Sequence, residues 1–120
     1  MGYVQGFVIP VPVANRDAYR DMAARTAPVF QDYGAERIVE CWGDSLPDGQ
    51  VTDFHKAVKA EATENVIFSW IVWPDKATCD AAHDKIWSDP RMTTPDRAIP
   101  FDGKRMIYGG FVPIFDTQIM

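Results

Sequence analysis

The nine residues NVIFSWIVW, 65–73, carry apolar side chains on both faces of any strand they form. At period two, Val66, Phe68, Trp70 and Val72 point one way, while Ile67, Ile71 and Trp73 point the other, with Ser69 the single polar interruption. A sheet face left in water would alternate apolar with polar, so this strand belongs in the middle of a sheet covered on both sides. One cover is expected to be helical and the other a second subunit.

Working outward, residues 3–13 alternate again and make a first strand, whose Pro10 and Pro12 put its end at a sheet edge. ERIVECW, 36–42, makes another, and RMIYGGFVPIF, 105–115, a closing strand in which Gly109-Gly110 marks a bulge or a close approach. Between them, Asn15 can cap a helix with Tyr19, Met22, Ala23, Thr26, Phe30 and Tyr33 on one stripe and Gly34 as its stop. Pro28 is expected to kink or split that helix, at about 3 kcal/mol if unrelieved. Asp75 caps a second helix reaching Ser88, with Cys79, Ala82, His83 and Ile86 inward and Asp89-Pro90 as the terminator. The order strand, helix, strand, strand, helix, strand predicts a single α+β domain over residues 1–120 with the ferredoxin-like βαββαβ arrangement, an antiparallel sheet with both helices on one face. A second copy covering the other face makes a homodimer, a dimeric α/β barrel.

Composition narrows the function classes. Seventeen acidic against twelve basic side chains give a net charge of −5, a field that repels phosphate backbones and anionic lipid, so no nucleic-acid and no membrane partner is expected. The start MGYVQGFVIPVPV lacks a basic region and a cleavage site, and no apolar run is long enough to span a bilayer, which predicts a cytoplasmic protein. Cys41 and Cys79 are read as reduced packing residues. No P-loop, dinucleotide fingerprint, nucleophile elbow or HExxH is present, so no cofactor is expected. Cys79 and His83 share a helical face, yet two ligands fall short of a zinc site and no metal is expected.

The candidate chemistry lies in two stretches. In DFHKAVKA, 53–60, an extended chain puts His55 and Lys59 on one face, where an imidazole can act as acid or base; the alternative is a solvated edge strand protected by its lysines. His55 is the candidate catalytic residue. In IPFDGKRMIYGGF, 99–111, Asp102-Gly103 is turn chemistry. Lys104 and Arg105 can hold an anionic ligand, or Arg105 can pair with an acidic residue and fix the register. Tyr108 can orient a ligand, and Arg97 stands in the long loop at 89–102, a candidate binding loop. Trp70, with Trp42, Trp73 and Phe68, makes core and dimer interface or lines a site for a flat aromatic molecule.

The stretches GFVIPVP, DAYRDMA, VECWGD, DFHKAVKA, VIFSWIVWP, DPRM and PFDGKRMIYGGF, in that order over residues 3–112, resemble the YbaA-like family of small bacterial proteins, classed as a domain of unknown function. The resemblance implies a dimeric α/β barrel related in shape to small monooxygenases and haem-degrading enzymes. It implies no established activity and assigns no catalytic residue. The two expectations are a homodimer that binds a small aromatic or anionic molecule between sheet and helices, with cofactor-free oxygenase chemistry as one form of it, and a non-enzymatic dimerisation module.

Overall fold

The structure is a computed structural model that describes residues 2–92 and 99–118. Its elements are β1 (Tyr3–Pro12), α1 (Arg16–Asp32), β2 (Arg37–Trp42), a one-turn helix α2 (Phe54–Ala57), β3 (Glu64–Trp73), α3 (Lys76–Ser88) and β4 (Ile107–Phe111). The four strands form one antiparallel sheet in the order β2-β3-β1-β4. This α+β architecture is compatible with the ferredoxin-like arrangement.

Register assigns every strand residue to a face. Ile67, Ile71 and Trp73 point beneath the helices, together with Ile38 and Trp42 of β2 and Gln5, Phe7 and Ile9 of β1. Val29 of α1 and Cys79, Ala82 and Ile86 of α3 close over Ile71 and Trp73, and Tyr19 of α1 closes over Ile9, Val11 and Ile67. Both long helices therefore cover one face. Trp73 is fully buried, and its indole N–H is satisfied by donating to Gln5 Oε1 at 2.8 Å.

The helix ends follow local chemistry. Asp75 Oδ1 accepts from the Thr78 N–H at 2.7 Å and starts α3. Helix α1 ends in paired bonds from Gly34 N–H to Gln31 O and from Ala35 N–H to Phe30 O, with Gly34 at φ +112°, a backbone state that favours glycine. Asn15 occupies the cap position of α1, but its side chain donates to Pro100 O instead, tying the helix start to the approach of β4.

Several local expectations change. Helix α1 runs unbroken through Pro28. His83 of α3 faces solvent against Trp87, so only Cys79, Ala82 and Ile86 of the expected stripe are buried. Strand β1 is interior, and its prolines are accommodated because β4 pairs only with Val4 to Val8, leaving Pro10 and Pro12 without a neighbour on that side. Gly109-Gly110 makes no bulge, since the β1–β4 register runs without a skip. What the glycines admit is side chains: the Tyr3 ring lies over Gly110 where a Cβ would stand, and the Phe111 ring lies across Gly6 at 3.3 Å from an added Cβ. The substitution Gly110→Ala is therefore expected to lower stability by about 1–3 kcal/mol through displacement of the Tyr3 ring, read as a shift in the urea midpoint with unchanged slope.

Candidate functional site

The segment before β3 decides the fate of His55. Asp53 Oδ1 accepts the Lys56 N–H at 2.7 Å, and this cap turns residues 54–57 into helix α2 rather than an extended edge. Two carbonyls of that turn are then closed by Lys59 N–H to Lys56 O and Ala60 N–H to His55 O. Lys59 consequently adopts φ +51°, a left-handed conformation that costs a non-glycine residue about 1 kcal/mol. His55 is half-buried on a capped turn, and the shared extended face expected for His55 and Lys59 does not form.

Arg105 holds this turn in place. Its guanidinium reaches Glu64 through two bonds, Nη1 to Oε1 at 2.6 Å and Nη2 to Oε2 at 2.7 Å. Nη1 also donates to Lys59 O at 2.9 Å, and Nε to Asp102 Oδ2 at 2.9 Å. Of five N–H groups, four are therefore committed within the chain. The clamp joins the turn before β4, the exit of α2 and the first residue of β3. Arg105 draws the Glu64 carboxyl below its ordinary value, against the desolvation of a residue that is itself buried. Of the alternatives open for Arg105, pairing with an acidic residue is the one that forms.

The remaining sequence candidates scatter. Lys104 is exposed at the turn, where its N–H bonds to Asp102 Oδ1. Tyr108 is 68% exposed on edge strand β4, stacked on Phe7 with centroids 6.1 Å apart. Trp70 points to the face without helices, edge-on to Phe68 at 5.7 Å, and so lies outside the layer between sheet and helices. Arg97 lies outside the described residues.

Two features are brought together by the fold instead. On the face without helices, register places Val39 and Cys41 of β2, Phe68, Trp70 and Val72 of β3, Val4 and Val8 of β1, and Ile107 and Phe111 of β4 side by side. Phe68 and Phe111 remain 42% and 60% exposed. At one corner, loop 43–54 folds back, Phe54 packs on Phe68, and a cleft of about 200 Å³ opens between Cys41, Leu46, Phe54, Val66 and Phe68.

The second feature is a polar pair on the helix side. The Tyr19 hydroxyl donates to Glu40 Oε1 at 2.8 Å, beside Trp42 and opposite Ser69 of β3. Glu40 keeps part of its surface in solvent at the sheet edge, yet desolvation beneath α1 pushes its carboxyl above the ordinary value. Burial, followed by the neighbouring carboxylate, pushes the Tyr19 hydroxyl strongly up as well. Sequence reading missed this pair, although the signal was present: in an alternating strand, Glu40 falls on the same face as Ile38 and Trp42.

A third group, at the end of α3, is structural. Buried Asp89 accepts the Tyr33 hydroxyl at 2.9 Å and pairs with Arg91, which also reaches Asp32 at 2.7 Å. A broad groove of about 420 Å³ runs beside it, past Tyr33, Gly34, Thr78 and Lys85.

The clamp yields a pH test with a definite sign. Because the folded Glu64 value is lowered, its stabilisation is full above the ordinary 4.5 and is lost as pH falls through the lowered value. Glu64→Gln is expected to reduce the melting temperature at pH 7, with the gap to wild type narrowing below pH 4.5. A gap independent of pH would remove the charge-based account of the clamp.

The family model described as "Protein of unknown function (DUF1428)" matches residues 2–103. "Uncharacterized protein YbaA" of Escherichia coli strain K12 is 60% identical over 116 residues, covering 97% of this chain and 99% of that one. The protein of the same description from Shigella flexneri matches to the same extent. Among solved structures, "De novo designed protein Foldit4" aligns over 94% of this chain and 99% of its own at 10% identity and a TM-score of 0.46. Among the described residues no helix is long and apolar enough to cross a membrane. By a family match spanning most of its length and by relatives alike from end to end, this chain belongs to the DUF1428 family of proteins of unknown function.

Proposed function

We propose that this chain works as a homodimer in which two sheets pack face to face through the sides that carry no helix, closing a dimeric α/β barrel. The observation that carries this reading is the apolar row set across all four strands, from Val39 and Cys41 to Ile107 and Phe111, with Phe68 and Trp70 in the middle. A monomer gains nothing from apolar side chains on that face, whereas a self-complementary partner removes them from water at about 25 cal/mol per Å². Dimerisation is then the first function of the fold, and the module reading takes precedence over a ligand site built on Arg105.

Light scattering tests it directly. Wild-type protein at micromolar concentration is expected to have twice the chain mass, and Phe68→Asp, which puts a charge on a side chain already 42% exposed, is expected to be a folded monomer. A monomeric wild type refutes the reading.

The Tyr19–Glu40 pair favours a second reading, a small aromatic molecule held at the rim of the helix–sheet layer with Glu40 accepting or returning its proton. Trp42 supplies a flat apolar wall beside a carboxyl whose proton affinity desolvation raises above the ordinary value. The sign is opposite to that of the clamp. A raised carboxyl contributes stability below the ordinary 4.5 and loses it as pH climbs through the folded value. Glu40→Gln is therefore expected to melt higher than wild type at pH 7, with the advantage vanishing below pH 4.5. In a thermal-shift series of aromatic acids and quinols, the wild type is expected to gain melting temperature and both Glu40→Gln and Tyr19→Phe to gain none. Equal shifts in all three would leave the dimer without this site.

A further inference from the structure

Beyond Phe111 the chain continues as Val112, Pro113, Ile114 and Phe115, an apolar segment lying clear of its own subunit. Ile114 is 95% exposed and Phe115 81%. Pro113 removes a backbone donor, so the segment cannot extend β4 as an ordinary ladder. We propose that this C-terminal segment crosses to the second subunit and seats Ile114 and Phe115 in the partner's cleft between Cys41, Leu46, Phe54 and Phe68, an inference that rests on the homodimer reading.

Three observations support that occupant. The first is area. Strands of five to ten residues, at about 3.4 Å per residue and about 4.8 Å between strands, give the face a projected area of about 500 Å². Loop 43–58 already covers one end of it, where Pro10, Val58 and Val66 are fully buried within the monomer. A standard stable interface takes about 800 Å² of accessible surface from each partner, and the exposed Ile114 and Phe115 add apolar surface to what a partly covered sheet face supplies.

Placement is the second. The cleft sits at the corner where β2 ends beside Val66 and Phe68, on the outer edge of the sheet. The tail leaves from Phe111, which pairs with Val4 at the opposite edge and the opposite end. A two-fold axis lying between the faces and perpendicular to the line joining those corners exchanges them, bringing each tail over the other subunit's cleft. Within one chain the two corners are the most distant points of the sheet, so a subunit cannot fill its own cleft.

The third is chemistry. The cleft is walled mainly by Phe54, Phe68, Leu46, Val66, Trp42 and the thiol of Cys41, with Asp44 and Ser45 also lining it, and the tail offers one aliphatic and one aromatic side chain. Anchors of this kind in an apolar pocket carry much of the binding energy of an interface.

Cys41 makes the test simple, because it lines the cleft, and Cys79 is buried beneath α3. Phe115→Cys is treated with a short bismaleimide in dilute solution and run on a denaturing gel. A covalent dimer that disappears when Cys41→Ser is added, and that wild type does not form, is the expected result. Light scattering on the same sample separates the two ways to fail. A native dimer without the covalent product overturns the tail exchange and leaves the homodimer standing, whereas a monomer overturns both.

Discussion

Strand β3 imposes the constraint from which the rest of the molecule follows. Its side chains are apolar on both faces, and the long helices α1 and α3 cover only one, while the one-turn α2 reaches a corner of the other through Phe54. Ile67, Ile71 and Trp73 are buried by α1 and α3, whereas Phe68 keeps a substantial exposed surface and Trp70 an intermediate one. The hydrophobic effect that builds the core therefore leaves an apolar remainder on the far side of the same strand. Every functional reading of this protein begins from that imbalance.

Both ends of β3 are also pinned by polar contacts. Trp73 at one end donates to Gln5, and Glu64 at the other receives Arg105. The clamp couples three segments distant in sequence, since Glu64 and Arg105 are 41 residues apart and Lys59 and Arg105 are 46 apart. It explains the charged turn before β4 without a ligand: Asp102 orients the guanidinium, and Arg105 locks β4's approach to the start of the central strand. The left-handed Lys59 is held by the same group, so one side chain offsets a local backbone cost elsewhere.

The two faces also divide the chemistry. The face away from α1 and α3 is apolar along most of its rows, with exposed Arg37 opposite Val72 at one end of β2, and offers shape and area, which suit association. On the helix side of β2, the Glu40 carboxyl accepts from a tyrosine and still reaches solvent at the sheet edge. Such a group retains its proton more strongly than an exposed glutamate and is positioned to exchange it. The sequence candidates His55, Lys104, Arg105 and Tyr108 lie on a turn, a loop and an edge strand, and the Arg105 guanidinium is committed to Glu64, Asp102 and Lys59 O.

What the sequence by itself determined is local. Period-two runs located four strands, Gly34 and Asp75 marked a helix end and a helix start, and the two-sided apolar pattern put residues 65–73 in the middle of the sheet, because each of these signals is set by neighbours a few residues away. Family membership was legible for the same reason, in short contiguous stretches. Residues 54–57 are helical through the local Asp53 cap, a signal present in the sequence, whereas tertiary structure alone decided that Gly109-Gly110 makes room for rings instead of a bulge and that Arg105 is consumed by Glu64, Asp102 and Lys59. Glu40 lies between these cases: alternation put it on the buried face, but only the position of Tyr19 on α1 shows what it meets there. Long-range pairing depends on which distant side chains arrive at the same point in space, and spacing along a chain carries no measure of that.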